Sequence, residues 1–103
     1  MTENLYQRKL IQKLERIFPG CVILKNDSGY RQGVPDLIIL WGECWASLEV
    51  KVHAKASSQP NQDYYVEQLN DMSFAAYIYP ENEREVLDAL QQAFESPRRA
   101  RVS

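Results

Sequence analysis

The sequence has little with which to bind zinc or build a disulfide framework. Two cysteines, Cys21 and Cys44, stand far apart with no Cys-x-x-Cys spacing, and His53 is the one histidine. A tetrahedral zinc site and a stapled secreted scaffold are both excluded by that shortage. No long apolar run occurs, so neither a signal peptide nor a membrane span is expected. A reducing cytoplasmic setting follows, with both cysteines as small core residues of strands. Basic excess is missing too: 12 Lys and Arg stand against 14 Asp and Glu, a net charge of −2. A protein that coats nucleic acid through its overall field carries the opposite balance, so any contact with phosphate must come from local patches or a bound cation.

What is present is ordinary globular material: 103 residues, 45% hydrophobic and 25% charged, with no internal repeat. That length supports one domain, assigned to 1–95, followed by a flexible basic tail over 96–103 that contains Arg98, Arg99 and Arg101.

The chain is organised around Gly33 to Lys51. An apolar run, Leu37-Ile38-Ile39-Leu40-Trp41, is bounded by Pro35 and Gly42, and strict alternation follows from Ala46 to Val52. Two strands joined by a tight turn are predicted. In the second, Ala46, Leu48, Val50 and Val52 share one face while Ser47, Glu49 and Lys51 share the other. Asp36 opens the neighbouring strand. If the two strands pair, two carboxylates and an ammonium converge, and like charges at short range repel. A divalent cation relieves that cost.

Around this hairpin the spacing predicts a helix over Glu3 to Phe18, with Leu10, Ile11, Leu14, Ile17 and Phe18 inward and with Gln7 and Glu3 continuing that face. Glu15 falls towards the edge of the stripe, so Glu3 is the favoured helix acid. Cys21 to Lys25 reads as a strand, and the polar stretch from Asn26 to Gly33 as a loop that sets Lys25, Tyr30 and Arg31 beside the acids. A second loop after Val52 brings His53 and Lys55 to the same end. A helix from Asn61 has Tyr65, Val66, Leu69 and Met72 on its apolar face and Gln62 at its start. Phe74 to Tyr79 is a further strand. Asn82 with Glu85 looks like a capping box for a last helix that buries Val86, Leu87, Leu90, Ala93 and Phe94. The order α-β-β-β-α-β-α gives the α/β class, a mixed sheet flanked by helices.

Asp36 and Glu49 offer hard oxygen ligands suited to Mg²⁺ or Mn²⁺, and the carbonyl of Val50 lies where it can join them. Lys51, on the face of Glu49, is placed to hold a metal-bound water. Such a set performs phosphodiester hydrolysis.

Val34-Pro35-Asp36 followed thirteen positions later by Glu49-Val50-Lys51 resembles the PD-(D/E)XK nuclease signature. More narrowly, Gly33-Val34-Pro35-Asp36, Leu48-Glu49-Val50-Lys51 and Gln62 resemble the virus-type replication-repair nuclease (VRR-NUC) family, over nearly the whole chain from Glu3 to about Phe94. The resemblance implies a restriction-endonuclease-like fold, dependence on Mg²⁺ or Mn²⁺, and cleavage of branched or flapped DNA such as Holliday junctions, as in DNA repair and recombination. It also implies a homodimer with two active sites. By position, Asp36 and Glu49 would bind metal with Val50, Lys51 would position the nucleophile, Gln62 would orient Lys51 or a phosphate, and Glu3 would be the helix acid, on a second metal or its water. Lys25, Tyr30, Arg31, His53 and Lys55 would touch DNA. Exposed aromatics, among them Trp41, Trp45 and Tyr79, are the expected dimer surface.

Singly these signals are weak. Pro-Asp is a common turn, Glu-x-Lys is an exposed ion pair on most strands, and Gln62 alone is an ordinary helix-start residue. Their conjunction favours an endonuclease over a catalytically inactive DNA-binding module of the same fold, and over a structural α/β protein whose acids bind a stabilising metal.

Overall fold

A computed structural model describes residues 1–26, 29, 31–56 and 61–96. The elements run α1 (Glu3–Ile17), β1 (Val22–Lys25), β2 (Leu37–Trp41), β3 (Cys44–Val50), α2 (Gln62–Met72), β4 (Phe74–Ile78) and α3 (Glu83–Glu95). This is the expected α/β order; α1, β1 and β4 are each one residue shorter than read from the sequence, and β3 runs from Cys44 to Val50 rather than from Ala46 to Val52. The proposed tail lies outside the described residues, apart from Ser96.

Thr2 starts α1 by accepting a hydrogen bond from the Leu5 N–H at 3.1 Å, and Pro19 with Gly20, whose φ is +87°, turns the chain out of it. The strands form one sheet in the order β1-β2-β3-β4. The first three are antiparallel; β2 and β3 are joined at Gly42, whose φ of +61° suits a residue without a Cβ. The crossover through α2 makes β4 parallel to β3.

Alternation divides the sheet's faces. Leu37, Ile39, Ala46, Leu48, Val50 and Ile78 meet Tyr6, Leu10 and Leu14 of α1 and Val86, Leu87 and Leu90 of α3 in one buried core. Burying each such aliphatic side chain contributes about 2 kcal/mol of hydrophobic stabilisation. At the end of β2 remote from Asp36, Phe18 meets Trp41 and Phe94 edge to face, each pair of rings 5.1 Å apart. The Trp41 indole also donates to the Pro19 carbonyl at 3.0 Å.

Among the described residues the opposite face is covered over β3 and β4, by α2. Being central, β3 is buried on both faces, which is why Ser47, Glu49 and Lys51 lie inside rather than at the surface. Val22, Leu24 and Leu40 share the uncovered face of β1 and β2 and are exposed. Exposed aromatic surface is therefore not found where the sequence suggested it: Trp41, Trp45 and Tyr79 are half-buried. Two further expectations are corrected. Met72 is exposed: it is the last residue of α2, whose buried residue, Gln62, lies at the other end. Asn82 makes no capping bond to α3; its side chain instead accepts from the Tyr79 N–H and donates to the Tyr77 carbonyl, closing the turn after β4. No helix among the described residues is long and apolar enough to cross a membrane.

Candidate active site

Pro35 is buried and Asp36 half-buried where the chain enters β2. Asn26, just beyond β1, clamps this entrance: its N–H donates to the Asp36 carbonyl at 2.9 Å and its side-chain amide donates to the Pro35 carbonyl. The pairing of Leu37 with Leu48 then brings Asp36 level with Glu49 across the β2–β3 ladder, on the face beneath α2. The Val50 N–H donates to Asp36 Oδ2 at 2.9 Å. The two carboxylates that the sequence set apart by thirteen residues are thus neighbours on one surface.

Glu49 is 2% exposed and Lys51 7%. A buried carboxylate beside a second acid is expensive unless it is protonated, paired or bound to a cation. Here Gln62, the one fully buried residue of α2, answers part of the need. Its Oε1 accepts from Lys51 Nζ at 2.8 Å and its Nε2 donates to Glu49 Oε2 at 2.8 Å. Lys51 Nζ itself stands 3.8 Å from the same Glu49 oxygen. Gln62 therefore spans acid and base. The remaining oxygen, Glu49 Oε1, is buried and receives no hydrogen bond.

Burial, the charge of Asp36 and a hydrogen bond shared with it push the Glu49 carboxyl up to about 8, against the lowering effect of Lys51; Glu3 adds to the rise. Burial is the first cause of the rise, so Glu49 holds its proton more tightly than an ordinary carboxyl does.

Glu3 is exposed, not turned into the core as its periodicity suggested: it is the first residue of α1, whose buried residues begin at Tyr6. It still belongs to the cluster: partial burial and then Asp36 raise its proton affinity, while Lys51 lowers it. Glu15 sits at the other end of α1, where its charge acts on Cys21, whose thiol is pushed up mainly by burial. Both cysteines are free, half-buried thiols.

Lys25 is exposed and its Cα partner is Leu37, one residue from Asp36; Arg31 is exposed in the loop before β2. Tyr30 lies outside the described residues. His53 and Lys55 are exposed and joined in a tight turn, with the Lys55 N–H donating to His53 Nδ1 at 3.2 Å.

No protein-family model matches this chain, and no match was found among the curated proteins or the solved structures. Its chemistry has to be read from its own side chains.

Among the described residues no group of three or more His, Cys, Asp or Glu side chains is arranged to hold a metal ion. The pair Asp36 and Glu49 nonetheless fits a hard divalent cation: two adjacent carboxylates, one with an undonated buried oxygen, repel each other when both are ionised. Three residues that the sequence did not single out also shape the site. Asn26 fixes the approach to Asp36. Tyr77 is the β4 partner of Glu49, and its hydroxyl donates to Asp63, next to Gln62. Neither Asn26 nor Tyr77 has a local pattern that distinguishes it from an ordinary loop or strand residue.

Proposed function

We propose that this chain is a divalent-metal-dependent endonuclease acting on branched DNA, with Asp36, Glu49 and Lys51 as its catalytic set. The observation that carries the reading is the Asp36–Glu49 pair on one face of the sheet, beside a buried lysine held by Gln62. An ion-pair ornament would be exposed, and a buried acid kept for packing alone would be replaced at lower cost by an apolar residue.

Asp36 and Glu49 would hold Mg²⁺ or Mn²⁺ with the Val50 carbonyl, and Glu3 at the rim would complete the oxygen set. The ion would supply charge neutralisation at the phosphate and acidify the attacking water. Lys51, its Nζ fixed by Gln62, orients that water and stabilises negative charge developing on the scissile phosphate. Lys25, Arg31, His53 and Lys55 are exposed around the site and would meet the flanking phosphates, in keeping with local contact at an overall charge of −2. The likeness of Gly33-Val34-Pro35-Asp36, Leu48-Glu49-Val50-Lys51 and Gln62 to the VRR-NUC nucleases supports the choice of branched DNA and a restriction-endonuclease-like fold. Cutting two strands at a junction takes two sites, so the reading includes a homodimer.

A labelled four-way junction incubated with Mn²⁺ tests it, alongside flapped, linear and single-stranded substrates. Cuts that vanish in EDTA are expected. A shifted band without cuts would identify an inactive binding module, and neither effect would leave the cluster a structural one. Sedimentation at micromolar concentration reads the dimer.

A further inference from the structure

The first turn of α2 carries a residue of the site. Asn61 precedes it in the left-handed conformation, φ +70°, and makes no side-chain capping bond. A helix that begins without a cap frays at its first turn. Yet that first turn contains Gln62, whose amide spans Lys51 Nζ and Glu49 Oε2 at 2.8 Å each. A tether from the sheet would hold that turn in place.

The structure places one such tether. Tyr77 pairs with Glu49 across the parallel β3–β4 ladder, which sets its ring on the same face as the acid, below α2. From there its hydroxyl donates to Oδ1 of Asp63, the residue after Gln62. Asp63 is exposed and is the acid of the helix's first turn, where a negative charge is favoured by the helix dipole. The bond therefore runs from the middle of the sheet to the first turn of the helix.

We propose that Tyr77 is a positioning residue: through Asp63 it fixes the uncapped start of α2, and so holds the Gln62 side chain in place between Lys51 and Glu49. It touches neither substrate nor reacting atoms. Its consequence for rate rests on the nuclease reading above; its effect on Gln62 does not. Small displacements of a group that orients a nucleophile reduce turnover more than binding.

The test uses the full chain and three variants, with the Gln62 side-chain amide followed by nitrogen–proton NMR and cleavage of a four-way junction followed in Mn²⁺. Tyr77→Phe and Asp63→Ala should both move the Gln62 amide signals towards those of a solvent-exposed glutamine, and both should lower kcat about ten-fold with KM for DNA unchanged. Asp63→Asn keeps the acceptor and should retain the parent signals and rate. Because Asp63 is exposed, its variants remain folded even if Tyr77→Phe does not. Parent-like Gln62 signals in Asp63→Ala would overturn the proposal. If the parent cleaves no substrate, the nuclease reading falls while the amide signals still decide the tether.

Discussion

The N–H of Val50 donates to Oδ2 of Asp36 at 2.9 Å, so the acid that opens β2 is tied to β3 at the residue directly after Glu49. This bond holds together two carboxylates that repulsion would separate, and it makes the role of Asp36 separable from its packing. Asp36→Asn keeps an acceptor for Val50 and should melt within about 2 °C of the parent, while cleavage falls more than about 100-fold. Asp36→Ala also loses the bond, at a cost of about 1–2 kcal/mol. Thermal melts beside a junction-cleavage assay distinguish the two; full activity in Asp36→Asn would remove Asp36 from the mechanism.

Glu49 makes stability depend on pH in a defined direction. Its carboxyl is raised from 4.5 to about 8 by burial and by Asp36. The folded state therefore holds that proton more tightly than the unfolded chain does. The stabilisation is complete below about pH 4.5 and is lost as pH climbs towards about 8, after which this group adds no further change. Glu3, also raised, acts in the same sense. Urea titrations of the metal-free protein should show a midpoint falling between pH 5 and pH 8, with much of that slope removed in Glu49→Gln. A midpoint that rises over the interval would contradict the assignment.

Divalent metal should reverse this trend. A cation at Asp36 and Glu49 has to displace the proton of Glu49, so Mn²⁺ is expected to raise the melting temperature more at pH 8 than at pH 5.5. EDTA should cancel the shift and Glu49→Gln should not show it. Calorimetric titration would detect proton release on binding, and its absence in the parent would count against a metal at this pair.

The two helix acids are separable by substitution. Glu3 couples to Asp36 and Lys51, whereas Glu15 lies beside Cys21 at the far end of α1. Glu3→Gln should lower cleavage about ten-fold and raise the Mn²⁺ concentration needed for activity, with Glu15→Gln equal to the parent. Activity at limiting Mn²⁺ reads the difference, and the opposite ranking would exchange their roles.

Gln62 bridges a buried base and a buried acid, so its removal takes one hydrogen bond from each. Gln62→Leu should cost about 2–3 kcal/mol in urea denaturation, and it should reduce cleavage beyond what the stability loss explains. A variant of parent stability would show that Lys51 and Glu49 pair adequately without it.

Local pattern was enough for the hairpin. A period of two, a bounding proline and a glycine turn are properties of neighbouring residues, and they sufficed to put Glu49 and Lys51 on one face and Asp36 at the start of the adjacent strand. Periodicity failed at helix ends: Met72 fits an apolar stripe but is the exposed last residue of α2, and Glu3 continues an inward face but is the exposed first residue of α1. Asn82 had the spacing of a cap, yet two backbone groups at the end of β4 compete for its amide and win.

The sequence by itself determined the element order, the two-faced character of β3 and the acid, acid and amine that share its polar side, because those follow from alternation along the chain and from turn chemistry a few residues long. Only the tertiary structure decided that this polar side is roofed by α2, that Gln62 joins Lys51 to Glu49, and that Asn26 and Tyr77 brace the site from either side. Those contacts link residues distant in the chain, and whether an amide, a hydroxyl or a carboxylate meets a partner there depends on how the helices pack on the sheet, which no local pattern encodes.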